Sequence, residues 1–439
     1  MEMMQMRDKP WYVVLLLAAL YIISYVDRLI LALLVEPIKA DLGITDVQMG
    51  LLIGPAFAIL FSVIGLPVAW LIDRKNRKVL LAVGIALWSI STLLAGYATS
   101  FAMLFVLRMG LAIGESVLSP AAISMIGDMF PRERRAAPSS VFIAAGTTGV
   151  MLAYVVGAAA LDLAQSGALS ALPLIGDLPG WRLTLVLIAL PGLVLAPIVL
   201  LTVREPARGA MEEIPPASSA VANAGMQPFG IFPSRSEAIR FYACFFIGNA
   251  ILGLMLYGSL AWYPTHLIRS QNISASEAGY IFSTALALGV VLTMAIPTLS
   301  QRIARAGRRD LLMLLPLLVI PIGLALFVAA LLQHSLMIAS ILIAIGFSLL
   351  SAINALPSIT VPLTAPPSMR GRLVAMVQFC NNIISLSLGA YLVALIAGKM
   401  FPGPNGLGQA LLVVALCAGP VAWILFFCAW RPYRRAVMQ

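Results

Sequence analysis

Charged residues are scarce in this chain. Asp, Glu, Lys and Arg make up 10% of its 439 residues, whereas an ordinary soluble domain contains about 25%. Histidine occurs only twice, and the sequence has neither an HExxH zinc-protease pattern nor a nucleotide-binding P-loop. We therefore expect no enzymatic activity, no bound metal and no cofactor. The cysteines also lack metal-ligand spacing: they are Cys244, Cys380, Cys417 and Cys428.

Hydrophobic residues, in contrast, make up 61% of the chain. They form runs of roughly 20 residues, the length that an α-helix needs to cross the core of a bilayer. The runs lack the period-two alternation of a membrane β-barrel, and backbone groups in lipid must be paired within the spanning element. We predict an all-α membrane protein with twelve transmembrane helices, at residues 12–35, 48–72, 79–99, 102–127, 138–162, 181–203, 238–263, 277–299, 311–332, 336–360, 372–397 and 408–430.

The excess of positive charge follows the predicted topology. The chain has 28 Lys and Arg against 18 Asp and Glu. If both termini are cytoplasmic, two basic residues lie within the membrane and nearly all the others lie on cytoplasmic segments, as the positive-inside rule requires. We predict a multi-pass protein of the cell (inner) membrane with cytoplasmic termini and no nucleic-acid partner. The basic residues on external segments are then Lys39, Arg182, Arg269 and Lys399.

The chain divides into two similar halves. The segment IDRKNRK at residues 72–78 resembles ARAGRR at 304–309, about 231 positions later, and the Pro-x-x-x-Arg pattern that begins at Pro131 recurs at Pro366. Residues 204–236 are rich in Pro, Ala, Ser and Gly, a composition typical of a flexible linker. We predict an N-terminal six-helix bundle at 1–203, a cytoplasmic linker at 204–236 and a C-terminal six-helix bundle at 237–439, an arrangement known from transporters.

The segment AWLIDRKNRK, residues 69–78, resembles the signature Gly-x-Leu-Ala-Asp-Arg-x-Gly-Arg-Lys of the major facilitator superfamily. Ala69 and Asn76 replace its two glycines. The resemblance implies a twelve-helix transporter whose signature residues help to close the cytoplasmic side; helix capping is the alternative explanation. The candidate gate comprises Asp73, Arg74, Arg77, Lys78, Asp128, Arg135 and Arg370.

A narrower resemblance rests on three segments of the N-terminal half. YVDR at 25–28, DRKNRK at 73–78 and RMGLAIGES at 108–116 together look like the Spinster family. That family is associated with export of lysophospholipids and sphingolipids. The resemblance therefore implies an amphipathic lipid as the substrate.

Four charged residues fall well inside predicted helices: Asp27 and Arg28 in helix one, Arg108 and Glu115 in helix four. Each costs at least about 2.5–3.5 kcal/mol to place in a bilayer, and such residues usually mark an ion or substrate path. Arg108 and Glu115 share a face of their helix, with the helix-one residues between them in depth. The pairs Asp27–Arg108 and Arg28–Glu115 are feasible, as is a single four-membered network. A purely structural lock between the two helices is the alternative to a functional site.

These charges suggest how protons and substrate could be coupled. Protonation of Glu115 would leave Arg28 without its counterion, which is costly in a dry site. An anionic head group such as a phosphate could then take the place of the carboxylate. The four charged residues are therefore our candidates for proton coupling and for binding of the substrate head group.

The C-terminal half carries amides and hydroxyls inside its predicted helices instead of charges. Such groups either line a cavity or tie helices together. We predict a monomeric secondary transporter that moves an amphipathic lipid by alternating access with proton coupling; a transporter of small organic anions or drugs is the alternative. The candidate cavity-lining residues are Asn249, Tyr257, Asn354, Gln378, Asn381 and Asn382.

Overall fold

The computed structural model describes residues 9–173, 175–211, 230–308, 311–366 and 368–438. All regular structure in these ranges is helical, which confirms the predicted fold class. Twelve helical spans within them are long and apolar enough to cross a membrane. In chain order, spans 1 to 12 are Pro10–Ala32, Asp46–Arg74, Arg77–Ala95, Phe101–Met129, Arg132–Gln165, Gly180–Thr202, Arg235–Gln271, Ala275–Ile303, Leu314–Leu332, Leu336–Thr364, Arg370–Met400 and Gly406–Met438.

Several spans consist of more than one helical piece. Proline begins the second piece of spans 2 and 10, because its missing N–H is harmless at the first position of a helix. Span 1 ends in a 3-10 turn, span 5 begins with one, and span 11 contains a π-helix. A short helix, Val35–Leu42, precedes span 2, and the helix of span 8 continues to Arg305. The pieces of the divided spans are Pro10–Leu29 and Ile30–Ala32 in span 1, Asp46–Ile53 and Pro55–Arg74 in span 2, Phe101–Glu115 and Leu118–Met129 in span 4, Arg132–Arg134 and Ala136–Gln165 in span 5, Leu336–Asn354 and Pro357–Thr364 in span 10, and Arg370–Cys380, Asn381–Ser387 and Leu388–Met400 in span 11.

The described residues form two compact units. Unit 1 contains the described residues up to 211, including the first residues of the predicted linker, together with Ile273–Ser283, and unit 2 contains the other described residues from 230 onward. The start of span 8 thus packs within unit 1, where the hydroxyl of Tyr280 donates to Asp162 at 2.9 Å. The predicted boundaries at 203 and 237 stay a prediction, and linker residues 212–229 lie outside the described residues.

Both units use the same close helix contact. A Cβ on Gly84 of span 3 would lie 2.8 Å from the carbonyl oxygen of Gly114 in span 4. A Cβ on Gly346 of span 10 would lie 2.9 Å from the carbonyl oxygen of Gly323 in span 9. Small residues let membrane helices approach this closely, so the contact in unit 1 sets the position of Glu115, the next residue in the chain.

The Pro-x-x-x-Arg patterns also have the same local structure in both units. Arg135 donates its Nε proton to the carbonyl of Phe130 at 2.8 Å, and Arg370 donates in the same way to the carbonyl of Ala365 at 3.2 Å. Each arginine therefore caps the end of the preceding span, where the last carbonyls of a helix lack partners. These two residues of the candidate gate act locally as caps.

Candidate functional site

Arg28 and Glu115 form an ion pair inside unit 1. Nη2 and Nε of Arg28 donate to the same carboxylate oxygen, Oε2, at 2.5 Å and 3.1 Å. The Glu115 side chain is 1% exposed and that of Arg28 12% exposed. Both residues lie at breaks in their spans, since Glu115 is the last residue of its helical piece and Arg28 the last but one. The structure thus forms one of the two pairs that the sequence suggested.

Aromatic rings surround the guanidinium group of Arg28. Its Cζ atom lies 4.6 Å from the ring centre of Phe57, 4.9 Å from that of Tyr25 and 5.3 Å from that of Phe61. These are distances at which a cation is attracted to the face of a ring. The sequence pattern contained a hint of this cage, because Tyr25 is three residues before Arg28 and Phe57 and Phe61 are four apart, the spacings of neighbours on a helix.

Arg108 binds backbone rather than the side chain predicted for it. It donates to the carbonyl of Asp27 at 3.2 Å and to that of Arg28 at 2.9 Å, and more weakly to the carbonyl of Leu52 at 3.4 Å. The first two carbonyls belong to the last turn of the helix Pro10–Leu29, where carbonyls lack helical partners and a positive charge is favourable. The predicted Asp27–Arg108 side-chain pair is therefore not formed, and the arginine caps the break in span 1.

The carboxylate of Asp27 stands apart from the ion pair. The residue is 1% exposed, and neither carboxylate oxygen has a hydrogen-bond partner among the described residues. It faces a cavity of about 20 Å³ that is also lined by Ser91, Thr92 and Arg108, enough room for about one water molecule. The hydroxyl of Thr92 donates to the carbonyl of Trp88 at 3.1 Å. The four buried charges thus divide into an ion pair, a helix-capping arginine and an isolated acid.

A second charged cluster lies at the cytoplasmic end of the predicted topology, around Arg77. This side chain is 0% exposed and forms an ion pair with Asp128. It also donates to Glu205 at 2.7 Å, to the hydroxyl of Ser124 at 2.8 Å and to the carbonyl of Pro206 at 2.7 Å. The sequence predicted Arg77 and Asp128 as gate residues, and the structure brings them together. It missed Glu205, which had been assigned to a featureless linker.

The first residues of the linker lie against unit 1. Arg208 donates to the carbonyls of Ile72 and Lys75 at 2.6 Å and 2.7 Å, and the backbone N–H of Gly209 donates to Asp128 at 3.0 Å. These contacts fold the chain after span 6 over the end of span 2. We call the segment Glu205–Gly209 the clasp.

Of three other candidate gate residues, Lys78 contacts this cluster through its backbone, whereas Asp73 and Arg74 form no ion pair or hydrogen bond with it among the described residues. Asp73 is exposed and has no ion pair or hydrogen bond within the part of the chain that the structure describes. Arg74 lies 4.2 Å above the ring of Trp70. Lys78 donates its backbone N–H to Glu205 at 2.8 Å and its ammonium group to the carbonyl of Leu200 at 3.2 Å. The role of all these residues as a gate stays a proposal.

In unit 2, three of the six predicted polar residues meet. Asn249 is fully buried. Its side-chain N–H donates to the side-chain oxygen of Asn381 at 3.2 Å, and its backbone carbonyl accepts a hydrogen bond from the side chain of Asn354 at 2.9 Å. Gln378 is exposed, and Tyr257 and Asn382 are half-buried. Among the described residues, the fully buried charged side chains all lie in unit 1: Asp27, Arg77, Arg108 and Glu115.

Comparison with known proteins agrees with this architecture. Residues 17–390 match the family model of the Major Facilitator Superfamily. The chain belongs to this superfamily. It is therefore a transporter rather than an enzyme, as the sequence predicted.

Individual major facilitator proteins resemble the chain over most of its length. An MFS-type efflux pump of Mycolicibacterium smegmatis is 28% identical over 438 residues, which cover 98% of this chain and 95% of that protein. The sphingosine-1-phosphate transporter SPNS2 of Danio rerio is 26% identical over 406 residues, or 86% of this chain and 74% of that protein. These relatives bear out the resemblance to Spinster proteins.

The fold is also that of a solved Spinster homologue. Two crystal structures of a bacterial homologue of the human lysosomal transporter Spinster superpose with TM-scores of 0.83 and 0.82. Their identity to this chain is 24% and 25%; the two matches cover 97% and 98% of this chain and, in each case, 98% of the other chain. This major facilitator protein is thus a Spinster-like secondary transporter.

Proposed function

We propose that the protein is a proton-coupled transporter of amphipathic lipids with an anionic head group. It works as a monomer by alternating access in the inner membrane, with both termini in the cytoplasm. The observation that carries this proposal is the Arg28–Glu115 pair, because a buried cation in an aromatic cage is a site for an anion. The distribution of basic residues supports the orientation.

Arg28 has capacity for a further acceptor. Its Nε and Nη2 groups bind Glu115, while Nη1 makes no hydrogen bond within the described ranges. Phosphate oxygens suit the planar donors of a guanidinium group. A lipid phosphate can thus bind to Nη1 first and then replace the carboxylate when Glu115 takes up a proton.

The absence of buried charge from the described part of unit 2 supports a substrate with an apolar portion. A highly polar substrate such as a dicarboxylate needs ionic or dense hydrogen-bonding partners, because each of its groups left unpaired costs about 1–3 kcal/mol. The side-chain amides of Asn354 and Asn381 in unit 2 already bind Asn249. An acyl chain makes no such demand on that unit.

The test is flux of a fluorescent lysophospholipid into vesicles that contain the purified protein, with and without a pH gradient. We expect flux that depends on the gradient, loss of that dependence in Glu115→Gln, and loss of flux in Arg28→Gln. Glu133→Gln is the matched control, because Glu133 is exposed. A Glu115→Gln variant with unchanged dependence on the gradient would remove Glu115 from the mechanism.

The alternative substrate class is small organic anions or drugs. It is favoured by the mycobacterial relative, an MFS-type efflux pump that aligns with 98% of this chain. The same vesicles should therefore be offered a soluble organic anion and a lipophilic drug. Movement of either compound without movement of the lysophospholipid would overturn the lipid proposal. Movement of the organic anion would still support Arg28 as an anion site, whereas movement of the drug alone would not.

A further inference from the structure

Span 11 is not a continuous α-helix. Its middle seven residues, Asn381–Ser387, form a π-helix between two α-helical pieces. Such segments are rare, have i to i+5 hydrogen bonds and occur frequently at functional sites. Span 5 is the counterpart of span 11 in the repeat, and there Ala136–Gln165 is an unbroken α-helix of 30 residues. The repeated fold therefore does not require the π geometry.

Span 7 is hydrogen-bonded to this π segment at two points. Asn249 binds Asn381 at the start of the segment, and the hydroxyl of Ser385 donates to the carbonyl of Ala250 at 2.8 Å. A Cβ on Gly253, one turn further along, would lie 2.8 Å from the Cβ of Ser385. The two spans are thus in direct contact over the length of the π segment.

The contact leaves one buried polar atom without a partner. Oδ1 of Asn249 accepts no hydrogen bond, although the residue is 0% exposed. An unpaired buried acceptor costs free energy that a rearrangement can recover. Turning the amide would break the bond to Asn381, because it would place the Asn249 oxygen against another acceptor, Oδ1 of Asn381.

We propose that the π segment is a joint that converts to α geometry during the transport cycle, with Asn249 as the residue that positions it. Loss of one π turn shifts the register of the helix by one residue, a change of about 1.5 Å and about 100°. The piece Arg370–Cys380 would turn by this amount relative to Leu388–Met400. Gln378 and Asn381 then change their surroundings, and Asn249 can gain a new donor.

This inference needs only that the chain is a transporter, so it does not depend on the lipid proposal. Deleting Ile384 removes one residue from the π segment and allows span 11 to become a continuous α-helix. Ile384→Ala is the matched control, because it keeps the length of the segment. Hydrogen exchange of residues 381–387 and flux of the lysophospholipid are measured for both variants and for the parent.

We expect residues 381–387 to exchange about tenfold more slowly in the deletion variant than in the parent, a factor that corresponds to one hydrogen bond of ordinary net strength. Its flux should fall by about as much or more, while Ile384→Ala stays close to the parent. Parent-like exchange, or parent-like flux in a folded deletion variant, overturns the proposal. If the parent itself moves no lysophospholipid, the lipid proposal fails and the exchange measurement alone decides on the joint.

A second pair of variants covers the case in which the deletion variant does not fold. Asn249→Leu removes the unpaired oxygen and the bond to Asn381, and Ser385→Ala removes the second bond, to the carbonyl of Ala250. We expect both variants to fold and to change exchange at 381–387 by about tenfold, for the same reason. Unchanged exchange in both would contradict a positioning role for Asn249.

Discussion

The two units share a scaffold and differ in the chemistry that it encloses. Gly84 and Gly114 bring spans 3 and 4 together as Gly323 and Gly346 bring together spans 9 and 10. Unit 1 nevertheless contains every fully buried charge of the described residues, and unit 2 contains a junction of amides in their place. Close helix packing requires small residues at the same places in both units. The buried polar residues are not constrained in this way and differ between the units.

The two units also have different polar groups at the breaks in their spans. In unit 1 a guanidinium group, that of Arg108, binds the open carbonyls at the end of the first piece of span 1. In unit 2 the break in span 10 carries a neutral amide, that of Asn354, which donates to the backbone carbonyl of Asn249 in span 7, and span 11 contains a π-helix. Buried charge costs more to insert than an amide. We infer that the charged unit carries the ion chemistry and the neutral unit carries more of the shape change.

The largest expected difference concerns the Arg28–Glu115 pair. Arg28→Leu alone should destabilise the protein by about 3–5 kcal/mol, because it leaves a buried carboxylate unpaired. Adding Glu115→Leu should restore most of the stability without restoring transport. Thermal unfolding in detergent and flux in vesicles measure the two effects.

The corresponding cycle in unit 2, Asn249→Leu with Asn381→Leu, should give a coupling of only about 0.6 kcal/mol, the average for polar pairs between membrane helices. An equal or larger coupling there would remove the distinction between a charged and a neutral unit.

The next largest loss of stability is expected at Arg77, one of two arginines at equivalent places in the repeat. Arg77→Leu should cost at least about 1.5–3 kcal/mol, the value of one hydrogen bond to a charged group, since Asp128 and Glu205 both lose their ion-pair partner. Arg308, about 231 positions later, is exposed. Arg308→Leu should therefore stay within about 0.5 kcal/mol of the parent. Similar unfolding temperatures for both variants would contradict this asymmetry.

A smaller effect tests the packing of unit 2. Gly253→Ala should cost about 1–3 kcal/mol through overpacking, because its Cβ would meet Ser385 and lie 3.1 Å from Nδ2 of Asn354. Gly65→Ala in span 2 adds a Cβ to open space and should be neutral or stabilise the helix by roughly 0.5–1 kcal/mol. Denaturation of both variants measures the difference, and a Gly253→Ala variant as stable as Gly65→Ala would show that spans 7 and 11 can separate freely.

The smallest effect on stability belongs to Asp27→Asn. The carboxylate makes no hydrogen bond that the substitution could remove, and the amide carries no charge that burial would penalise, so the substitution should not lower the free energy of unfolding. Flux should lose its dependence on the pH gradient, because the isolated acid can no longer exchange a proton. A folded variant whose flux still follows the gradient would exclude Asp27 as a second proton site beside Glu115.

The sequence was sufficient for the twelve spans, because hydropathy over about 20 residues is set by the bilayer itself. The sequence could not predict where the helices are interrupted, since the hydropathy of a span is the same whether its helix is continuous or divided. Span 7 was predicted to end at 263 but continues through Pro264 to Gln271.

The same limitation explains the errors in the site. The comparison of residue depths assumed that span 1 is a straight helix, which made Asp27 a feasible partner for Arg108. The helix ends at Leu29, and its open carbonyls bind the guanidinium group instead. Arg77 and Asp128 were found from a motif and a spacing, whereas Glu205 stood in a stretch without periodicity and gave no such signal.

The clasp has a practical consequence for work with separated halves of the protein. A cut at the predicted boundary after Val203 would deprive Arg77 of Glu205 and Pro206 and would expose a buried guanidinium group. A cut after Met211 keeps these contacts, including the bond from Arg135 to the carbonyl of Met211 at 3.5 Å. Co-expressed fragments divided at the later position should assemble, and those divided at the earlier one should be degraded.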